Sequence, residues 1–311
     1  MKILNRKDKI DVPGLIDWLK SKLKINDFRV ELFNEQGRVS YTYLVKTDLH
    51  FYVVKIKFGD KSYEAEKYFF DNLKLTHLVP EVIAESYDQK KSVAIILFTY
   101  LSGVPLFKID LNNIQNPNLY KELSYFLDKA HNIPIQYSNY GYGAYVESTL
   151  VYTNWRDFLE KTHYCKRAMA YLLKEKLFTV DTFLIIDFAI DYTYSFNFIP
   201  CILHGDLSLE HIFINSDMHL QGVIDADNSF MGPKEYDFAY LLIYTDINFI
   251  ESLIDSYSND LNIKNLLSLS ILIGVSKIYR MYLLKTEHRQ NYFIDRVNNI
   301  SSLLRIKINN A

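Results

Sequence analysis

The sequence predicts an α+β chain in two lobes: a small antiparallel sheet with one helix packed on it, then a larger, mainly helical lobe. Three observations predict it. Strand-like runs with period-2 alternation crowd into residues 28–101, broken by a single helical segment. Beyond Gly103-Val104-Pro105 the apolar spacing turns helical, and one short β-region near 199–225 interrupts those helices. The lobes are expected at residues 1–100 and 101–311, and a length of 311 residues suits about two packed units.

In chain order, PGLIDWLKSKLK (13–24) has amphipathic helical spacing, with Pro13 at a tolerated first-turn position. FRVELF (28–33), YTYLV (41–45) and FYVVKIKF (51–58) alternate as strands, joined by NEQGRVS and TDLH. SYEAEKYFFDNLKL (62–75) is the interrupting helix, and strands near 82–87 and 92–101 flank the turn-like DQKK. Links this short favour antiparallel neighbours. In the second lobe, NLYKELSYFLDKAH (118–131) and NWRDFLEKTHYCKRAMAYLLKE (154–175) are helical, and helices resume after 225 to the end.

Composition narrows the function. Apolar residues at 49% and 25 Tyr with 20 Phe are ample for a core, which excludes a disordered chain. A net charge of −2 argues against bulk nucleic-acid or membrane-surface binding. Cys165 and Cys201 form no CxxC pattern and imply no disulfide framework, which suits a reducing cytoplasm. The N-terminal MKILNRKDKIDV has no apolar stretch of the signal-peptide kind, and the uncharged run 92–107 is too short for a bilayer span. The charge is unevenly spread. Residues 200–260 hold eleven carboxylates against Lys234 alone, whereas 261–311 hold eight bases against Glu287 and Asp295.

The densest chemical signal is LHGDLSLEHIFINSDMHLQGVIDAD, residues 203–227. IFIN and QGVI form a hairpin around SDMHL, and a turn centred on Met218 sets His211 opposite Asp225. Cross-strand partners lie about 5 Å apart, so imidazole and carboxylate meet at the hairpin's open end, beside the loop carrying Asp206. Two carboxylates and an imidazole there suit a divalent cation plus a proton acceptor. A surface pair with a turn-forming Asp is the plainer alternative. In FYVVKIKF, alternation puts Tyr52, Val54, Ile56 and Phe58 on one face and Phe51, Val53, Lys55 and Lys57 on the other. Glu66 shares helical spacing with Phe69, Phe70 and Leu73, so it points into a packed face and needs a cation, for which Lys55 is the expected partner.

Val53-Val54-Lys55, Glu66, His204-Gly205-Asp206, His211 and Asp225 stand in an order that resembles the protein-kinase-like fold. The spelling HGDLSLEHIF, GVIDAD and GPKEYDFAYLL, with LDKAHNIP upstream, is most similar to the aminoglycoside phosphotransferases. The histidine after LSLE is similar to the branch that modifies the 2″-hydroxyl. The resemblance implies the following roles. Asp206 is the catalytic base and His204 shapes its loop; His211 and Asp225 bind Mg2+ bridging the phosphates of ATP or GTP. Lys55, held by Glu66, contacts the phosphates, with Ser40 in the phosphate-loop region, Val53 against the base, and Thr99 to Leu101 supplying backbone contacts. Asp237 is structural. A polycationic amino-sugar is the expected substrate, with Glu210, Asp227, Glu235, Asp246 and Glu251 as partners for its ammonium groups. The protein is expected to be a cytoplasmic, antibiotic-resistance enzyme and a monomer.

The sequence also departs from that pattern. Only Gly37 stands in the phosphate loop, and Ala226-Asp227 follows the metal aspartate where protein kinases have Phe-Gly. Other readings stay open at this point: a metabolic kinase of the same fold acting on choline, homoserine or a sugar, a catalytically silent kinase-like module, and a metal-dependent hydrolase built on His204, Asp206, His211 and Asp225.

Overall fold

The computed structural model describes residues 12–33, 40–58, 62–111, 116–135, 140–143, 152 and 154–309. Gly37 lies outside the described residues. The chain divides into two units, Met1–Gly59 with Glu81–Tyr100, and Asp60–Pro80 with Leu101–Ala311.

In the first unit, β1 (Arg29–Leu32), β2 (Ser40–Lys46), β3 (Phe51–Phe58), β4 (Val82–Asp88) and β5 (Val93–Thr99) form one antiparallel sheet ordered β1-β2-β3-β5-β4. The alternation expected for β3 is observed. Val54 and Ile56 enter a core with Val45, Leu97 and, from α1 (Val12–Leu23), Leu15 and Leu19. Lys55 and Lys57 therefore lie on the face opposite α1, and both are buried.

The second unit begins with α2 (Ser62–Leu73). The lobe expected over 1–100 included this helix, but residues 60–80 belong to the second unit. The reason is aromatic packing: Phe69 meets Phe126 and the His204 ring at centroid distances of 6.3 and 5.8 Å. β6 (Val104–Pro105), α3 (Pro117–His131), α4 (Trp155–Thr162), α5 (Cys165–Glu175) and α6 (Val180–Ser195) follow. The run 154–175, expected as one helix, breaks at His163-Tyr164, where Tyr164 adopts a left-handed backbone (φ 57°). No glycine or proline announces that break in the sequence. Asn116, Asn154 and Thr179 cap the starts of α3, α4 and α6 through side-chain oxygens that accept backbone N–H groups.

Then come β7 (Cys201–Leu203), β8 (Ile212–Ile214), β9 (Leu220–Val223), β10 (Phe230–Gly232), α7 (Glu235–Tyr244), α8 (Ile247–Ile254), α9 (Ile263–Leu283) and α10 (Gln290–Asn309). β7 pairs with β10, and β6-β8-β9 form a small sheet. Among the described residues α9 is the one helix long and apolar enough to cross a membrane, yet 67% of its apolar window is buried by the rest of the fold. Its contacts with α5, α6, α7 and α10 make it the central helix of this unit. Gly274 faces α10 at close range, where a Cβ would meet Val297 Cγ2 at 2.5 Å.

Candidate active site

β7 delivers His204-Gly205-Asp206 into a loop whose backbone is held from α7. Asp237, fully buried, accepts the N–H of His204 through Oδ2 and that of Gly205 through Oδ1, both at 2.9 Å. Burial pushes the Asp237 carboxyl up, but hydrogen bonding from His131 (3.3 Å) and from the Gly205 N–H helps to outweigh it and hold it below the usual carboxylate range. The other His131 nitrogen meets the Tyr257 hydroxyl at 2.7 Å. A buried Tyr257–His131–Asp237 chain thus fixes the loop, which agrees with a structural role for Asp237. Gly205 is required here. Its φ is +79°, and a Cβ would lie 2.2 Å from the Asn228 carbonyl oxygen.

The His204 ring shapes the same loop. Nε2 donates to the Ile224 carbonyl at 2.9 Å, and Nδ1 accepts the Asp206 N–H at 3.4 Å. Burial above all lowers its pKa, and the Nδ1 that accepts this N–H carries no proton. With both nitrogens occupied, His204 is not a metal ligand, which removes one member of the hydrolase set.

Asp206 itself is pinned at both oxygens. Oδ2 accepts from Asn228 Nδ2 at 3.2 Å, and Oδ1 accepts from the Tyr240 hydroxyl. Lys277 Nζ lies 4.0 Å from Oδ1 and donates to the Tyr240 hydroxyl oxygen. The carboxylate side chain keeps 27% exposure, enough for an acceptor from solution to reach it. His211 Nδ1 donates to the Asp206 carbonyl at 2.7 Å, which turns Nε2 toward Asp225 Oδ2, 3.4 Å away.

The hairpin brings His211 and Asp225 together, though not by the expected register. Ile212 faces Val223 and Ile214 faces Leu220, so the pairing is offset by one residue and shifts again within β8. The offset comes from the turn, where Asn215 Oδ1 accepts the N–H of Asp217 and His219 and Met218 is left-handed (φ 63°). A one-residue slip would ordinarily send Asp225 to the other face. Asp225 lies past the end of β9 with a left-handed backbone of its own (φ 67°, ψ 53°), which returns the carboxylate toward His211.

Asp225, Asp227 and Glu66 from α2 each present a carboxylate oxygen, all within 4.8 Å of one another. An all-oxygen set of this kind fits Mg2+ better than an imidazole does, so a cation bound by Asp225 would draw on Asp227 and Glu66 as well as His211. Asp227, expected at the substrate, belongs to this cluster. Two further expected substrate contacts have structural partners. Glu235 is buried and accepts the Asn262 N–H at 3.0 Å, and Asp246 caps α8 by accepting the Phe249 N–H at 2.8 Å. Both carboxylates serve helix starts. Glu210 and Glu251 are exposed.

Among the expected nucleotide residues, Ser40 faces Lys57 across β2 and β3 and is buried, and Val53 is half-buried. Thr99 is corrected. Its N–H donates to the Glu81 carbonyl, its hydroxyl oxygen accepts the Glu81 N–H, and the Tyr100 N–H goes to the Phe51 carbonyl. Those donors are used by the sheet.

A sequence model described as "Phosphotransferase enzyme family" matches residues 32–265, three quarters of the chain. The chain belongs to that family. Its fold is also that of solved family structures. A ternary complex of aminoglycoside phosphotransferase APH(4)-Ia with AMP-PNP and hygromycin B is 15% identical, with 93% of this chain and 98% of that one covered at TM-score 0.65. A GDP complex of aminoglycoside 2'-phosphotransferase-IIIa (15% identical, 94% and 99% covered) and a GDP and kanamycin complex of an APH(2") enzyme (14%, 93% and 98%) both align at TM-score 0.67. No curated protein matches the sequence. The phosphotransferase family and this fold together support a small-molecule kinase.

Within this phosphotransferase, four site residues escaped the reading of the sequence: Asn228, Tyr240, Lys277 and His131. One signal was available. Tyr240 follows Asp237 by three positions, the spacing that places both on one side of a helix.

Proposed function

We propose that the protein transfers the γ-phosphoryl of ATP or GTP to a hydroxyl of a polycationic amino-sugar, an aminoglycoside of the kind modified at the 2″ position. The observation that carries the reading is the Asp206 carboxylate, oriented through both oxygens, partly exposed, and mounted on a loop clamped by Asp237. In the proposed step the acceptor oxygen bonds to the γ-phosphorus while the bond to the β–γ bridging oxygen breaks. Asp206 takes the hydroxyl proton, and the nucleoside diphosphate leaves. A bound Mg2+ would neutralise phosphate charge, with Asp225, Asp227, Glu66 and His211 as the residues to hold it. Lys55 supplies cationic charge to the phosphates. The exposed Glu210 and Glu251 are the remaining carboxylates for substrate ammonium groups. A cytoplasmic monomer conferring drug resistance completes the proposal.

The test is release of ADP or GDP in the presence of Mg2+, with ATP or GTP against kanamycin, gentamicin, hygromycin B, choline and homoserine. Turnover with an amino-sugar that stops in excess chelator supports the reading. Turnover confined to choline or homoserine replaces it with a metabolic kinase, and no turnover with any acceptor favours a silent binding module.

Lys55→Ala is expected to raise the nucleotide KM at least about tenfold, the weight of a lost charged contact of roughly 1.4 kcal/mol or more, and Lys57→Ala to raise it less. Both lysines are buried on one face of β3, but Lys57 lies opposite Ser40 at the strand's far end. The reverse ranking in nucleotide titrations would transfer the phosphate contact to Lys57.

A further inference from the structure

We infer that Tyr240, oriented by Lys277, is a positioning residue for Asp206; the inference rests on Asp206 being the base of the proposed transfer. A phenol hydroxyl has one proton and accepts through its lone pairs. Lys277 Nζ donates to the Tyr240 oxygen, and the Tyr240 proton goes to Asp206 Oδ1. An ammonium group can only donate, so it fixes the direction in which the hydroxyl points. The lysine is itself held, its Nζ standing 4.6 Å from the Tyr240 ring centroid and 5.7 Å from that of Tyr244. Asn228 secures the second carboxylate oxygen. Two donors on different oxygens stop the carboxylate rotating about its Cβ–Cγ bond, and the remaining lone pairs face the acceptor at a set angle. Burial, and next the Asp206 charge, push the Tyr240 phenol well above its ordinary pKa, so it keeps the proton it donates.

The relay joins three elements: the loop after β7, α7 and α9. Asp237 and Tyr240, one turn apart on α7, divide the work, the first holding the loop backbone and the second the carboxylate. Positioning of this kind raises kcat and leaves substrate affinity alone, because the carboxylate does its work on the reacting proton.

The experiment measures nucleoside diphosphate release with ATP or GTP and kanamycin for Tyr240→Phe, Lys277→Met, Lys277→Arg, Asp206→Asn and the Tyr240→Phe/Asp206→Asn double variant. Tyr240→Phe should lower kcat about 10- to 100-fold with both KM values within about twofold of wild type. Lys277→Met should show the same split, and Lys277→Arg, which keeps a donor and a charge, should recover most of the rate. The double variant should be no slower than Asp206→Asn, since residues acting as one unit do not lose rate twice. Wild-type kcat in Tyr240→Phe, or losses that multiply in the double variant, would overturn the inference and leave the functional reading standing. No wild-type turnover with kanamycin, gentamicin or hygromycin B, or an Asp206→Asn variant as fast as wild type, overturns the functional reading and this inference with it. If Tyr240→Phe melts out of the fold, the contrast between Lys277→Met and Lys277→Arg decides.

Discussion

Asp206→Asn is expected to keep the fold and reduce turnover by about 10² to 10⁴-fold, the usual weight of a general base. The structure explains why folding should survive. An asparagine amide oxygen at the Oδ1 position still accepts from Tyr240, and its NH2 then faces Asn228. Asn228 relieves the meeting of two donors by turning its own amide oxygen inward. Lys277 loses its carboxylate neighbour but keeps its hydrogen bond to the Tyr240 hydroxyl. Phosphoryl transfer kinetics beside a thermal melt separate the two effects. Turnover within a few-fold of wild type would take Asp206 out of the chemistry altogether.

Asp237→Ala is expected to destabilise the protein by about 3–5 kcal/mol, since each buried donor left without its acceptor costs about 1–3 kcal/mol. The substitution strands the His204 and Gly205 N–H groups and the His131 ring in a dry interior. Denaturant titration reads the loss, and a change under about 1 kcal/mol would show that water replaces the carboxylate at little cost. Acid should act in the same direction. The folded-state pKa of Asp237 is depressed, so its stabilisation is present above the unfolded carboxylate value and is lost as pH falls through the folded one. In the alanine variant that part of the acid sensitivity disappears.

Much of this was legible in the sequence. Strand alternation in FYVVKIKF put both lysines on one face, and the core of Val54 and Ile56 with α1 occupies the other. The family membership agrees with the spelling of the HGD loop and of GVIDAD. The meeting of His211 with Asp225 was anticipated, but for an incorrect reason. The expected register ignored the five-residue turn at Asn215–His219, and a left-handed Asp225 supplied the compensation. Glu235 and Asp246 read as free acidic groups because a charge count does not reveal which carboxylates cap helices. The break at His163-Tyr164 carried no local signal, since the left-handed residue is a tyrosine.

By itself the sequence determined faces and spelling: which strand side carries Lys55 and Lys57, and the HGD and IDAD signatures of the family. Periodicity is a property of local backbone geometry, so it survives in one dimension. Only the tertiary structure decided partners. Asp206, Asn228, Tyr240 and Lys277 come from a loop, a 3₁₀ turn and two helices, and Glu66 joins Asp225 and Asp227 because α2 packs against the turn that bears them. A hydrogen bond requires its atoms within a few tenths of an ångström. Positions that exact are set by how whole elements pack, and residue spacing along the chain does not encode them.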